Sequence, residues 1–411
     1  MATIKMFLYN KPTFNLSMKI LIISPSNTFP ALSGGAVRTN AFLKYLAKRN
    51  KIFYVYNKYH QVKEVREGKI KSKTNISNVK LYPVGPSVRA AQLFNPLLLI
   101  KSYKIIKKEK IDLVIGEFAW SGVYLSLLKL LTNVSYIIDE HNIEYELVKF
   151  NYGLLGKLIS PTIQLYEKLT WKFSKYIFCV SENDKKAIIN IGISDKKIIV
   201  VPNGIDANLF KKTNKNEIRT KLKLNFDDLI VLFFGKLDYS PNKETVNIIY
   251  NEIMPRTLKI LKMSEFSNEN SEHAQKPLVF DKRKNIKFLI VGSNPPNLKH
   301  ENIIFTGPVE NIKSYIDASD IVVNPLLHGA GARFKILEAI ACGKRVISTS
   351  IGAGELADEG IKGFLVISDD WDDFAEHVIN NLSKKDRRPP RWFLDRYTWK
   401  NVINKLNLFC G

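Results

Sequence analysis

Cysteine is scarce: the 411 residues contain only Cys179, Cys342 and Cys410, far apart and with no C-x-x-C pair. That pattern excludes a disulfide framework and a paired-cysteine zinc site, and it suits a reducing compartment. Long apolar runs are missing too, since no stretch approaches the roughly 18 residues a membrane-spanning helix requires. Neither the dinucleotide fingerprint G-x-G-x-x-G nor the helix-pair and aromatic-strand signatures of nucleic-acid binders occur, which argues against nucleic acid as a partner. No acidic motif suited to a metal is evident. Acidic side chains are themselves in deficit, with 39 Asp and Glu against 62 Lys and Arg, a formal net charge of +23. Such an excess implies an anionic partner (a phosphorylated substrate or a membrane surface), or else a solvated lysine-rich face.

What is present is an alternation of apolar strands and amphipathic helical stretches. Residues 1–17 lack the apolar core and small-residue cleavage site of a signal peptide and read as a loose extension. KILIIS, IFYVYN, NVKLYPV, IDLVIGE, VSYIID, YIFCVS and KIIVVPN follow, and a second set opens with LIVLFFG. Apolar runs alternating with helices predict parallel strands in doubly wound sheets. Ligands in such sheets gather beyond the carboxyl ends of the strands, which points to Gly34, Gly35, Glu117, His141, Ser181 and Asn203. The spacing predicts a glycine loop at Gly34-Gly35 and a helix over 37–48. Residues 263–284 are polar and irregular and read as a surface insertion.

His141 lies in IIDEHNIEYE, between acids at a strand end. A neighbouring carboxylate raises a histidine pKa and readies the ring to donate hydrogen bonds to a sugar or phosphate; a purely structural hydrogen bond is the competing reading. The segments 89–111 and 148–176 mix aliphatic and aromatic residues with lysines. They fit either ordinary helices packed on a sheet or helices lying on an anionic membrane.

The densest stretch is NPLLHGAGARFKILEAIACGKRVISTSIGAGE, residues 324–355. It predicts a strand ending at Asn324-Pro325, a turn at Gly329, Ala330 and Gly331, and a helix from about Arg333 to Ala341. Gly343 stands where a left-handed cap belongs, and a strand over 345–349 leads to a small-residue loop at Gly352, Ala353 and Gly354. Two glycine-rich turns opening helices suit a phosphorylated ligand, because free amides and the helix dipole favour anions. Arg333 and Lys335 stand beside them as phosphate clamps or as solvated charge. Glu338 shares a face with Phe334 and Ala341; it either pairs with Lys335 or waits for a ligand. The acids Asp369, Asp370, Asp372 and Asp373 flank a helix start and read as capping.

This stretch resembles the donor-site signature of glycosyltransferase family 4, a family of retaining enzymes of the GT-B fold, in its branch reading G-G-G-x-R-x-K-x-L-E-A. The segments D-E-H-N, V-P-N-G-I-D and G-K-L-D-Y-S-P-N at 139–142, 201–206 and 235–242 resemble the family in the same order. The resemblance implies an α/β, GT-B chain: two Rossmann-like doubly wound parallel-sheet domains facing a cleft. The expected layout is an acceptor-side domain at 18–205, a linker region at 206–226, a nucleotide-sugar domain at 227–390, and a C-terminal helix at 391–411 crossing back.

It further implies transfer of a hexose-type sugar from a nucleotide-diphosphate sugar, with retention and without metal, to a glycan or polyprenyl-linked acceptor. The nucleotide-sugar is a substrate, and no cofactor is implied. His141, Glu338 and Arg333 would be catalytic, with His141 near the transferred sugar and Glu338 on the ribose hydroxyls. Gly34, Gly35, Lys236, Lys243, Gly331, Arg333, Lys335, Glu338, Gly352, Ala353 and Gly354 would bind the donor. The expected location is cytoplasmic, peripheral on the inner membrane face. Most of the family carries a glutamate where this chain has Ala330, so the sugar contacts depart from the pattern. A nucleotide-sugar 2-epimerase and a non-catalytic sugar-nucleotide-binding scaffold are the alternatives.

Overall fold

The computed structural model describes residues 17–29, 33–57, 76–85, 95–211, 213–267, 285–328, 333–359 and 361–406. Thirteen strands form two sheets, and every strand pair within them is parallel. The first sheet contains β1 Lys19–Ser24, β2 Lys51–Asn57, β3 Val79–Val84, β4 Leu113–Glu117, β5 Tyr136–Asp139, β6 Tyr176–Cys179 and β7 Ile198–Val200, in the order β3-β2-β1-β4-β5-β6-β7. The second contains β8 Leu229–Phe234, β9 Ile286–Val291, β10 Ile303–Phe305, β11 Ile321–Asn324, β12 Arg345–Ser348 and β13 Leu365–Ile367, in the order β10-β9-β8-β11-β12-β13. These are two Rossmann-like doubly wound sheets, the α/β architecture of the GT-B fold.

Near-continuous aliphatic strands arise because both sheet faces are covered. In β1, Leu21 and Ile23 join one core with Leu98, Tyr124 and Trp171, whereas Ile20 and Ile22 join the opposite core with Phe42 and Leu46. In β8, Ile230, Leu232 and Phe234 face the core containing Ile336 and Ile340, and Val231 and Phe233 face the one containing Phe374 and Val378. Strand order reverses beside β1 and β8, which opens a crevice at the carboxyl ends of both sheets.

Several local expectations are corrected. Gly34 and Gly35 are not a loop. They form the first turn of the helix Gly34–Leu46, whose N-cap Ser33 accepts the amide of Ala36. The helix ending near 341 starts at Phe334, with Arg333 as its N-cap. Gly352 and Ala353 close a short helix, Ser350–Ala353, because the Thr349 hydroxyl accepts the Gly352 amide. Residues 206–226, the expected linker region, carry the helix Lys215–Lys221, with Ile218 and Leu224 in the second core and Arg219 donating to Ala318 O. The helix Met254–Ser267 runs into the expected insertion, whose remainder lies outside the described residues, as do residues 1–16, 89–94 and 329–332. Asp370 caps the helix Trp371–Leu382 through the amides of Asp372 and Asp373.

The last segment returns to the first domain. Ile205 donates to Tyr397 O at 2.6 Å, and Trp399 donates to Ile205 O at 3.1 Å, so the outgoing and returning chains lie side by side. The helix Trp399–Leu406 then buries Trp399, Val402, Ile403 and Leu406 against the first sheet, with the Trp399 ring 6.3 Å from that of Phe334. Trp399 is 3% exposed. Trp399→Ala should lower unfolding free energy by about 3–5 kcal/mol, the cost of emptying so large a core site. Trp392→Ala on the exposed neighbouring helix should cost no more than about 0.5 kcal/mol. Urea unfolding followed by circular dichroism distinguishes the two.

Candidate functional site

The first half of the site grows from the ends of β4 and β5. Glu117 and Asp139 are directly paired across these strands, and both are fully buried. Buried carboxylates require compensation. Asp139 receives a fork from Arg38 on the helix Gly34–Leu46, Nε to Oδ2 at 2.9 Å and an Nη to Oδ1 at 2.6 Å. Glu117 Oε2 accepts the Thr39 hydroxyl at 2.5 Å. His141 closes the cluster, its Nε2 lying 2.9 Å from Glu117 Oε2 and 3.2 Å from Asp139 Oδ2.

Burial works against a charged imidazole, but the Asp139 and Glu117 contacts outweigh it and raise the His141 pKa. Burial likewise opposes ionisation of Asp139, yet Arg38 and His141 hold its carboxyl down at about 2. The raised pKa favours the imidazolium, and Nε2 is turned inward to the two carboxylates. Its Nδ1 is buried and has no hydrogen-bond partner among the described residues. Nδ1 faces the glycine turn: a Cβ on Gly35 would come 2.9 Å from it and 2.7 Å from Cζ of Phe118. The Phe118 ring covers the imidazole with centroids 3.9 Å apart. Ligand atoms of Glu117, Asp139 and His141 lie within 4.8 Å of one another, close enough for a metal. In the structure these atoms hydrogen-bond to each other, to Thr39 and to Arg38.

The second half gathers at the start of the helix Phe334–Ala341, beyond β11 and β8. Lys335 donates to Asn242 Oδ1 at 2.7 Å and lies 4.9 Å from the Phe233 ring centroid. Burial and the neighbouring Arg333 charge pull its ammonium down to about 7, with Glu338 opposing. Burial pushes the Glu338 carboxyl up to about 7, with Lys335 opposing. Lys335 thus bonds Asn242 while sharing an electrostatic environment with Glu338. Arg333 has its guanidinium pKa lowered by burial, against the pull of Glu355 and of Asp184 from the first domain. The Arg333 side chain crosses Gly354, where φ is +53° and a Cβ would come 2.6 Å from Nε.

Gly352, Ala353 and Gly354 therefore serve differently from expectation. Their amides go to Thr349 Oγ1, Thr349 O and Ser350 O, so they are spent within the turn, and the glycines make room for Arg333 and for Asn324 O. Lys236 is exposed and 3.7 Å from Asp238, and Lys243 is exposed on the helix Ser240–Ile248. Gly331 and Ala330 lie outside the described residues. The two halves adjoin, since Arg333 feels Asp184 and the burial-raised hydroxyl of Tyr239 feels Glu144 of the first domain.

Sequence reasoning overlooked Arg38 and Thr39, and it met Asp139 and Asn242 only within family-like segments, without assigning them a role. Arg38 reads as an ordinary base of an amphipathic helix; its only signal is a position four residues beyond a glycine that opens onto a strand end. Ser181 caps the helix Glu182–Asn190, and Asn203 Oδ1 accepts from Arg38 at 3.3 Å.

The comparisons agree with this geometry. Residues 32–209 match the family Glycosyltransferase Family 4, and residues 228–384 match Glycosyl transferases group 1. The O-antigen biosynthesis glycosyltransferase WbnH of Escherichia coli is 28% identical over 71% of this chain and 77% of its own length. The Escherichia coli UDP-Gal:alpha-D-GlcNAc-diphosphoundecaprenol alpha-1,3-galactosyltransferase is 25% identical over 70% and 73%. Anabaena HepE, solved with UDP and glucose, superposes with a TM-score of 0.65 at 15% identity, covering 96% of this chain and 99% of that one, a likeness of fold. Each sheet thus carries one of the two matches, and the chain reads as a Glycosyltransferase Family 4 domain followed by a Glycosyl transferases group 1 domain on a GT-B fold.

Proposed function

We propose that the chain transfers a hexose-type sugar from a nucleotide-diphosphate sugar to a glycan or lipid-linked acceptor, with retention at the anomeric carbon. The observation that carries this reading is the adjoining of Arg333, Lys335 and Glu338 with the inward-clamped His141 across the crevice. In it, Glu338 accepts from the ribose hydroxyls. Arg333 and Lys335, with the exposed Lys236 and Lys243 at the rim, meet the diphosphate, whose charge grows as the leaving group departs and which they stabilise most in the transition state. These cations supply the role a metal plays elsewhere, and no cofactor is needed. The Nδ1–H of His141 donates to the transferred sugar, holding it for attack on the same face the diphosphate leaves. The activity named for the galactosyltransferase relative supports a UDP-linked donor and a lipid-diphosphate acceptor.

The acceptor side has its own support. The helix Gly153–Phe173 buries Gly156, Ser160, Glu167, Thr170 and Trp171, and turns its leucines outward. Leu154 is 77% and Leu158 70% exposed, with Leu165, Leu169 and Phe173 continuing the stripe. Lys157, Lys168 and Lys172 flank it. A helix that buries its polar face against protein and shows leucine and lysine to solvent fits an anionic membrane interface. No helix among the described residues is long and apolar enough to cross a membrane. The proposed location is the inner face of the membrane, held peripherally.

A thermal-shift panel of UDP, GDP, ADP and TDP with their sugar conjugates tests the donor site. One base should stabilise the protein saturably, by about 2.7 kcal/mol at a hundredfold excess over Kd, and Glu338→Ala should abolish it. No shift with any nucleotide refutes the donor reading. His141→Ala should keep that nucleotide shift yet lose about 100-fold in kcat. Because the raised His141 pKa puts the active imidazolium on the acidic side, wild-type turnover should fall as pH rises through that titration; a wild-type rate in the alanine variant refutes the role. In liposome flotation, the protein should rise with anionic vesicles at physiological salt, and the pair Leu154→Asp and Leu158→Asp should stay at the bottom of the gradient. Equal recovery of wild type with and without vesicles removes the membrane claim.

A further inference from the structure

Arg38 is 1% exposed, and all of its hydrogen bonds are internal. Two nitrogens fork onto Asp139, while the third donates to Val201 O at 2.8 Å and Asn203 Oδ1 at 3.3 Å. Asp139 Oδ2 is therefore shared between Arg38 Nε and His141 Nε2. Val201 and Asn203 belong to the stretch that leaves β7 and crosses to the second sheet, where Ile205 bonds the returning chain at Tyr397 and Trp399. One guanidinium thus touches both the support of His141 and the crossing.

We propose that Arg38 is the positioning residue of His141: its fork fixes the Asp139 carboxylate that orients the imidazole, and its third nitrogen ties that orientation to the chain crossing between the domains. The proposal rests on the reading in which His141 meets the donor sugar. A bidentate guanidinium fixes a carboxylate plane in a way that a lysine point charge does not. Thr39 does the lesser job for Glu117, with a single hydroxyl.

The charge count explains why the residue must be basic. Facing His141 are Glu117 from β4 and Asp139 from β5, with Arg38 behind Asp139 and Glu144 approaching from the helix Glu144–Asn151. Glu140 turns away, its Oε1 accepting from Trp171 Nε1 at 2.6 Å. With Arg38 present, Glu117 and Asp139 are balanced by one guanidinium and one imidazolium. Remove the guanidinium, and the imidazolium alone faces both carboxylates; it then holds its proton more tightly while Asp139 loses its fixed plane.

The test is a titration of nitrogen-15-labelled histidine in the full-length protein by NMR, with His141→Gln to assign the resonance, alongside steady-state kinetics. Arg38→Gln should move the His141 titration to higher pH and lower kcat about 10- to 100-fold, with nucleotide affinity unchanged. Arg38→Lys should leave the titration where wild type has it, because the charge survives, and still lose rate, because the fork does not. A purely structural role predicts lower thermal stability with the titration in place. An unmoved or lowered His141 titration in Arg38→Gln overturns the proposal. Should that variant fail to fold, Arg38→Lys decides, and a wild-type kcat there overturns it. The NMR readout needs no turnover, so an inert wild type sinks the transferase reading while the clamp is still measured.

Discussion

Two carboxylates at the ends of adjacent strands, Glu117 and Asp139, are sealed from water, and the first half of the site is arranged to balance them. Each must be met by positive charge or by hydrogen bonds, and the helix Gly34–Leu46 supplies both through Arg38 and Thr39. That helix has to approach the strand ends closely, which is why Gly35 cannot carry a side chain against Phe118 and His141. Thr39 Oγ1 and Nε2 of His141 converge on a single Glu117 oxygen, which fixes the imidazole and leaves its buried Nδ1 with no hydrogen-bond partner among the described residues. Its chemistry follows from a packing constraint three residues upstream of Arg38.

The second half obeys the opposite logic. Arg333 and Lys335 are crowded and partly buried; burial displaces both pKa values downward, and the Arg333 charge lowers that of Lys335 further. Glu338, Glu355 and Asp184 only partly relieve this. Buried cations crowded in this way suit an anion, and in the proposed function a diphosphate between them would favour the charged form of Lys335. The first half pairs its buried charges internally, though His141 Nδ1 and Glu117 Oε1 have no hydrogen-bond partner among the described residues, whereas the second leaves its cations crowded.

Most of the fold was legible in the sequence because aliphatic strands between helices have few other solutions than doubly wound parallel sheets. In the candidate site, the cluster at the ends of the first sheet was legible where residue type and strand end coincided, as for His141 and Glu117. It was illegible where a residue acts through distant contacts. Arg38 looks like any helix base until the fold brings residues 139 and 203 to it. Asn242 reads as a helix-start residue until Lys335 reaches it from 93 positions away. Gly352 and Gly354 advertise free amides, but Thr349 satisfies the first locally, and both glycines turn out to make steric room. Periodicity shows that 153–173 is an amphipathic helix; it does not show that the polar face is the buried one, because that depends on Glu167 capping the amides of Glu144 and Tyr145.

The returning helix also bears on the order in which the protein is made. Ile20 and Ile22 of the earliest strand share a core with Trp399, Val402, Ile403 and Leu406, among the last residues described. On the ribosome, the N-terminal sheet therefore emerges with that apolar face covered only in part, by the helix Gly34–Leu46, while the second sheet is synthesised. The second sheet, whose strands lie within residues 229–367, closes on sequence-contiguous material. Translation order and folding order are thus inverted for the final step, and a nascent chain lacking its last dozen residues presents a hydrophobic surface of the kind chaperones bind.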